Sequence, residues 1–272
     1  MNITLLKKSE LGHAGSIFFI TLIFASITAS EYIFAFRDVS YGIVLSLLIT
    51  LCIYIIISIF DVGRNFTRSA ESLALIPLYV LFTASLPWFF IDQQLLLPAV
   101  YSIILALCFW HVYEHDIDLK GLGFIKDKAL KYSIIGILLG VPTGVIEYLI
   151  LMPAPSFPSI EPFNLLRDVI YMLLFVGVAE EMLFRGIIQS DLSRVFGWHK
   201  AIVAQGFLFG VLHMTWRSSY EIAFTFFAGI LLGYYYYRTK SLVGPIIWHG
   251  VNNVILVSVM PYIYPGILSW FS

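Results

Sequence analysis

Glu180, Glu181 and Arg185 fall within six positions of one another, near the middle of a long apolar run. A charged side chain at the centre of a spanning helix costs about 2.5–3.5 kcal/mol on insertion scales, so a chain that keeps three of them there has a use for them. On a helix, residues four apart share a face and neighbours are turned by about 100°. Glu181 therefore pairs with Arg185, one turn on, and Glu180 points elsewhere without a local partner. An unpaired carboxyl at that depth needs water or a group from another helix. The two adjacent carboxylates titrate as a coupled unit. On a soluble helix the same spacing would be an ordinary solvated face, a reading that the apolar flanks oppose.

Two later stretches carry groups that could meet Glu180. Phe209-Gly210-Val211-Leu212-His213 places a histidine after Gly206 and Gly210, small residues four apart that admit another helix backbone. That approach would bring His213 near the carboxylates, although a lone membrane histidine also serves as a packing residue. Gly244-Pro245 suits a helix start, and Trp248-His249-Gly250-Val251-Asn252-Asn253 follows. His249 and Asn253 share one face, and Gly250 again permits close packing. A carboxylate and histidine that activate water, opposite two donors that hold a developing oxyanion, are what an amide hydrolase needs.

The elements that must position these groups are transmembrane helices. Of the 272 residues, 60% are hydrophobic and 12% charged, with a mean hydropathy of +0.89. Soluble domains run at about 45–50% apolar and about 25% charged. The chain is therefore an integral membrane protein in a lipid bilayer. No run alternates as barrel strands do, so the expected fold is all-α and polytopic. About nine (eight to nine) apolar runs are long enough to span, near 15–36, 40–60, 73–91, 95–113, 131–152, 165–190, 200–214, 219–238 and 243–265. The seventh is short, and tilt or partial re-entry would suit it. The first, at about 20 residues, is too long for a signal-peptide core and reads as a retained span. Residues 1–130 read as accessory helices with an amphipathic cytoplasmic stretch at 114–130. Residues 131–272 read as the catalytic bundle, with its core at 165–260.

With the N-terminus cytoplasmic, inner segments carry 12 basic residues, Lys7 and Lys8 through Arg238 and Lys240. Outer segments carry three, Arg37, Arg167 and Arg217. That is the positive-inside pattern. By helical rise, Glu180 lies about 10 Å from the inner boundary, His249 about 9 Å and His213 about 20 Å. These depths predict a site open toward the cytoplasm and leave a gap at His213. Glu31, Glu147 and Asp168, near outer span ends, read as snorkelling groups, as do His111 and His115 at an inner end. Tyr234 to Tyr237 read as an interfacial anchor. Cys52 and Cys108 suggest neither a disulfide framework nor a metal cluster. The net charge of −1 and the lack of any basic block give no sign of a nucleic-acid partner.

Glu180-Glu181-x-x-x-Arg185, Phe209-x-x-x-His213 and His249-x-x-x-Asn253, in that order over roughly residues 165–260, resemble the three motifs of the CAAX-protease and bacteriocin-processing membrane protease family, which includes the Ras-converting type CAAX prenyl endopeptidases. The resemblance implies an intramembrane endopeptidase acting on a membrane-associated peptide or prenylated protein. By similarity, Glu180 with His213 would hold and deprotonate the attacking water, and His249 and Asn253 would form the oxyanion site. Glu181, held by Arg185, would support them. No cofactor is implied. Two histidines and a carboxylate also form a zinc-like set, so zinc stays open, but no His-Glu-x-x-His is present and Asn253 is a poor zinc ligand. The competing class is a membrane scaffold or transporter in which the polar cluster only joins helices; no paired interrupted spans of the transporter kind are seen.

Overall fold

A computed structural model describes residues 9–10, 12–125, 127–155 and 161–268 of the chain. Among them the fold is helical, apart from a two-residue parallel pairing of β1 (Ser9–Glu10) with β2 (Phe60–Asp61). The helices are α1 (His13–Phe36), α2 (Val39–Ile59), α3 (Arg64–Ala84), α4 (Leu96–Glu114), the single turn α5 (Leu119–Leu122) and α6 (Ala129–Leu151). They continue with α7 (Pro162–Phe196), α8 (Trp198–Leu212), α9 (Ser219–Thr239) and α10 (Val243–Tyr264).

Six of these are long and apolar enough to cross a membrane: α1, α2, α4 with its leading turn from Gln93, α6, α7 and α10. The polytopic helical membrane fold stands, but the count of nine spans does not. The reasons are local. Helix α3 opens on Arg64, Arg68 and Glu71, α9 contains Glu221 and Arg238, and α8 has only 15 residues. Fifteen residues rise about 22 Å, short of a hydrocarbon core of about 30 Å.

Short connections make successive helices antiparallel, and printed contacts tie like ends together. At one end, Arg68 Nε lies 2.7 Å from Asp191, His111 Nε2 lies 3.1 Å from the same carboxylate, and Ser69 donates to the Asp191 carbonyl. His115 there is pushed down to about 4, first by burial and then by neighbouring His111 and Arg68. At the other end, Arg217 Nε donates to the Ala35 carbonyl at 2.9 Å, and Arg167 to Gln94 at 2.6 Å.

Several expected surface roles become internal ones. His111 is 2% exposed, and Glu31, Glu147 and Asp168 are all buried, so snorkelling does not describe them. Asp168 accepts from Ser258, and Glu147 from Asn252. Within 114–130, α5 is capped by Asp118 and Gly123 and buries Leu122 completely. Tyr236, one of the four consecutive tyrosines, is also internal and donates to the Leu122 carbonyl at 3.2 Å. Lys7, Lys8, Lys126 and residues 156–160 lie outside the described residues.

Glycine sets the closest helix contacts. On α6, Gly136, Gly140 and Gly144 form one stripe. A Cβ at each would meet the carbonyl oxygens of Gly244, Trp248 and Asn252 at 2.8, 2.6 and 2.5 Å. The α6 backbone therefore lies directly on α10, as small-residue packing in membranes allows. Gly206 and Gly210 on α8 likewise admit α9, where added methyls would meet Phe226 and Ile222 backbone atoms at 3.2 and 2.9 Å. Their expected partner was the helix of the carboxylates; the structure gives them α9.

Candidate active site

Helix α7 is 35 residues long and changes its winding on both sides of the glutamates. Tyr171–Gly177 and Met182–Gln189 are π-helical, and Val178–Glu181 between them is α-helical. Such widened turns are rare and concentrate at functional sites. The Glu181–Arg185 pair forms as expected, with Arg185 Nη1 2.7 Å from Glu181 Oε1 and both side chains at 0% exposure. The guanidinium also lies over the Phe209 ring, 4.5 Å from its centroid.

Glu181 has a second partner. His249 Nδ1 lies 2.8 Å from the same Oε1. A carboxylate bound by arginine is an acceptor only, so Nδ1–H donates to it. His249 Nε2 is thereby turned toward Glu180, 3.8 Å from Oε2, beyond direct hydrogen-bond reach. With Nδ1 holding one proton, Nε2 can donate only when the ring is an imidazolium.

Glu180 is partly exposed, and its Oε1 accepts from the Tyr101 hydroxyl at 2.8 Å. Tyr101 comes from α4, in the stretch expected to be accessory, and the reading of the motifs missed it. Nothing in the spacing of the first four helices points to it, because the contact depends on how α4 docks on α7.

His213 ends α8 as the first residue of a 3₁₀ turn, His213–Trp216, before Arg217 at φ 54° turns the chain into α9. Its Nδ1 lies 2.7 Å from the Phe209 carbonyl. A carbonyl only accepts, so Nδ1 carries the proton and Nε2 is left as the acceptor. The Phe209-x-x-x-His213 spacing now has a physical content. Phe209 fixes the His213 tautomer through its carbonyl, and its ring stands 4.8 Å from His213 and 5.7 Å from His249.

Asn253 and its neighbour Asn252 follow on α10. Asn252 Nδ2 donates to the buried Glu147 on α6 and lies 3.3 Å from Asn253 Oδ1. The glycine stripe at 136, 140 and 144 was visible in the sequence at four-residue spacing and marks a close helix contact on α6; the structure supplies α10 as the partner.

These side chains converge on one cavity of about 350 Å³. Glu180, His213, His249 and Asn253 all line it, with Tyr101 and Glu147, among apolar walls that include Leu97, Met172, Val176 and Leu256. Glu181 and Arg185 lie behind the wall. The four residues expected to act on a substrate therefore share one chamber, and the two expected to support them are sealed from it. The gap in depth at His213 arose from the assumed end of α7. The helix runs on to Phe196, which puts Glu180 about 24 Å from that end by helical rise.

No curated protein and no solved structure matches the chain. Residues 162–255, which hold all three motifs and the four cavity-lining residues they supply, match the family model described as Rce1-like, type II CAAX prenyl endopeptidase, and so bear out the resemblance those motifs carry.

Proposed function

We propose that the protein is an intramembrane endopeptidase in which Glu180 activates water. The observation that carries this reading is the meeting of Glu180, His213, His249 and Asn253, from α7, α10 and the end of α8, around one chamber in an apolar bundle. Water held between Glu180 and the His213 Nε2 lone pair gives its proton to Glu180 as its oxygen attacks the peptide carbonyl carbon. The oxyanion so formed is met by Nε2–H of His249 and the Asn253 amide. Collapse breaks the C–N bond, and the proton held by Glu180 passes to the leaving amine. Glu181 fixes the His249 ring and stabilises its imidazolium, and Arg185 fixes Glu181.

The substrate is a membrane-associated peptide, and the matched family's description adds a prenylated C-terminal segment as its class. The test is incubation of the purified protein with prenylated and unprenylated membrane peptides, read by mass spectrometry, with His213→Ala as the inactive control. Cleavage by the wild type alone supports the reading; equal cleavage by both defeats it. Asn253→Ala should retain a residual rate, because one oxyanion donor is worth about 10²–10³ in kcat. Tyr101→Phe should lower kcat by about 10–100-fold with an unchanged melting temperature, since a hydrogen bond to a charged group is worth about 1.5–3 kcal/mol. An unaltered kcat would remove Tyr101 from the site.

Catalysis in this proposal is metal-independent. What favours it is that, among the described residues, no three His, Cys, Asp or Glu side chains are grouped as a bound metal needs. Both histidine Nδ1 atoms are also already committed. Full turnover should survive chelator washing. Activity that is lost on washing and restored by stoichiometric zinc would replace this mechanism.

A further inference from the structure

Beside Asn253 lie two carboxyls that the reaction as written does not use. Glu147, on α6, lines the chamber and is 6% exposed, and Glu221, in the first turn of α9, is 0% exposed. Ser218-x-x-Glu221 is the sequence of a capping box, in which the glutamate side chain returns to the serine N–H. Only half of the box forms. Ser218 Oγ accepts from the Glu221 N–H at 3.2 Å, but no N–H or O–H among the described residues reaches either Glu221 carboxyl oxygen. The group that meets them is the Glu147 carboxyl.

Two ionised carboxylates have no hydrogen to share, so a hydrogen bond between them requires a proton on one. The Asn252 amide identifies which. Its Nδ2 donates to Glu147 Oε2, which stabilises negative charge on Glu147, whereas Glu221 has no such donor. The proton therefore resides on Glu221, whose O–H donates to Glu147. Asn252 Nδ2 also lies 3.3 Å from Asn253 Oδ1, so its two hydrogens serve two acceptors. With Oδ1 accepting, the Asn253 Nδ2 is the atom left to donate into the chamber that Asn253 lines.

We propose that Glu221, Glu147 and Asn252 form a positioning chain for the oxyanion site. Neutral Glu221 holds Glu147, Glu147 holds the Asn252 amide, and Asn252 presents the Asn253 amide nitrogen to the substrate. The inference rests on the protease reading and deepens it: all three residues act through Asn253. It also brings α6 and α9 into the site, neither of which carries a motif residue.

The shared proton is read without activity, by infrared spectroscopy of purified protein at neutral pH. Wild type should show a protonated-carboxyl band that Glu221→Gln lacks; identical spectra in that region overturn the chain at its first link. Activity tests the last link. Glu221→Leu cannot donate, and it should lose about 10-fold in kcat at unchanged KM, a part of the about 10²–10³ that an oxyanion donor supplies. Glu221→Gln, whose amide still donates to Glu147, should restore most of that loss. In an Asn253→Ala background Glu221→Leu should cost nothing further, because coupled residues are not additive. Equal losses in both backgrounds, or full activity in Glu221→Leu, overturn the inference. If Glu221→Leu does not fold, Asn252→Leu makes the same comparison at the middle link. If the band behaves as expected but wild type cleaves no peptide, the protease reading and the positioning role fail while the shared proton stands.

Discussion

Glu180→Gln is expected to abolish peptide cleavage while the protein purifies and melts like wild type. The amide keeps the shape of the side chain and can still accept from the Tyr101 hydroxyl, which lies 2.8 Å from Oε1, but it cannot take a proton from water at neutral pH. Glu180 is partly exposed to the chamber, so the neutral replacement leaves no buried charge stranded. Loss of a general base costs typically about 10²–10⁴ in rate, and here the same group also returns the proton to the leaving amine. Single-turnover assays with a bound peptide would separate chemistry from binding: binding should persist and the cleavage step should vanish. Wild-type rates in this variant would refute Glu180 as the base.

Arg185→Ala should fail at an earlier stage. Its guanidinium and the Glu181 carboxylate are both at 0% exposure, 2.7 Å apart, and removing one partner of a buried pair typically costs about 3–5 kcal/mol. The expected result is low yield and a much reduced melting temperature in detergent. Glu181→Gln combined with Arg185→Met should recover most of that stability, because replacing both partners leaves no uncompensated charge. Its activity should stay low. His249 Nδ1 loses the carboxylate that lies 2.8 Å away, and with it the support for an imidazolium that donates from Nε2. A double variant that is stable and fully active would show that Glu181 has no part in orienting His249.

The pairing of Glu181 with Arg185, which leaves Glu180 apart, was legible because helix periodicity is a local property. One carboxylate had a partner four residues away and the other did not, and the structure keeps that division. Other features depended on docking. Tyr101 reaches Glu180 from 79 positions away, and no period in α4 marks it. The burial of Glu147 beside Asn252 was hidden because a carboxylate near a helix end reads as interfacial until the neighbouring helix is known. Gly206 and Gly210 announced a close contact without naming the partner, since a missing side chain describes space and not what fills it. The span count went astray through helix length and charge. Helix α8 rises too little, and α3 and α9 carry their charged residues on helical turns, where a hydropathy plot of the apolar centre does not register them.

The glycine contacts bear on how a peptide could be admitted at all. Helices α6 and α10 meet backbone to backbone along Gly136, Gly140 and Gly144, and α8 and α9 do so at Gly206, Gly210 and Gly229. Each pair is stiff, because no side chain lies between the backbones to change rotamer and absorb movement. The chamber takes walls from both pairs, with Glu147 and Asn253 on one and His213 and Thr225 on the other. Widening it would mean parting these two pairs, and the Phe209 ring packs against His213 from one and His249 from the other.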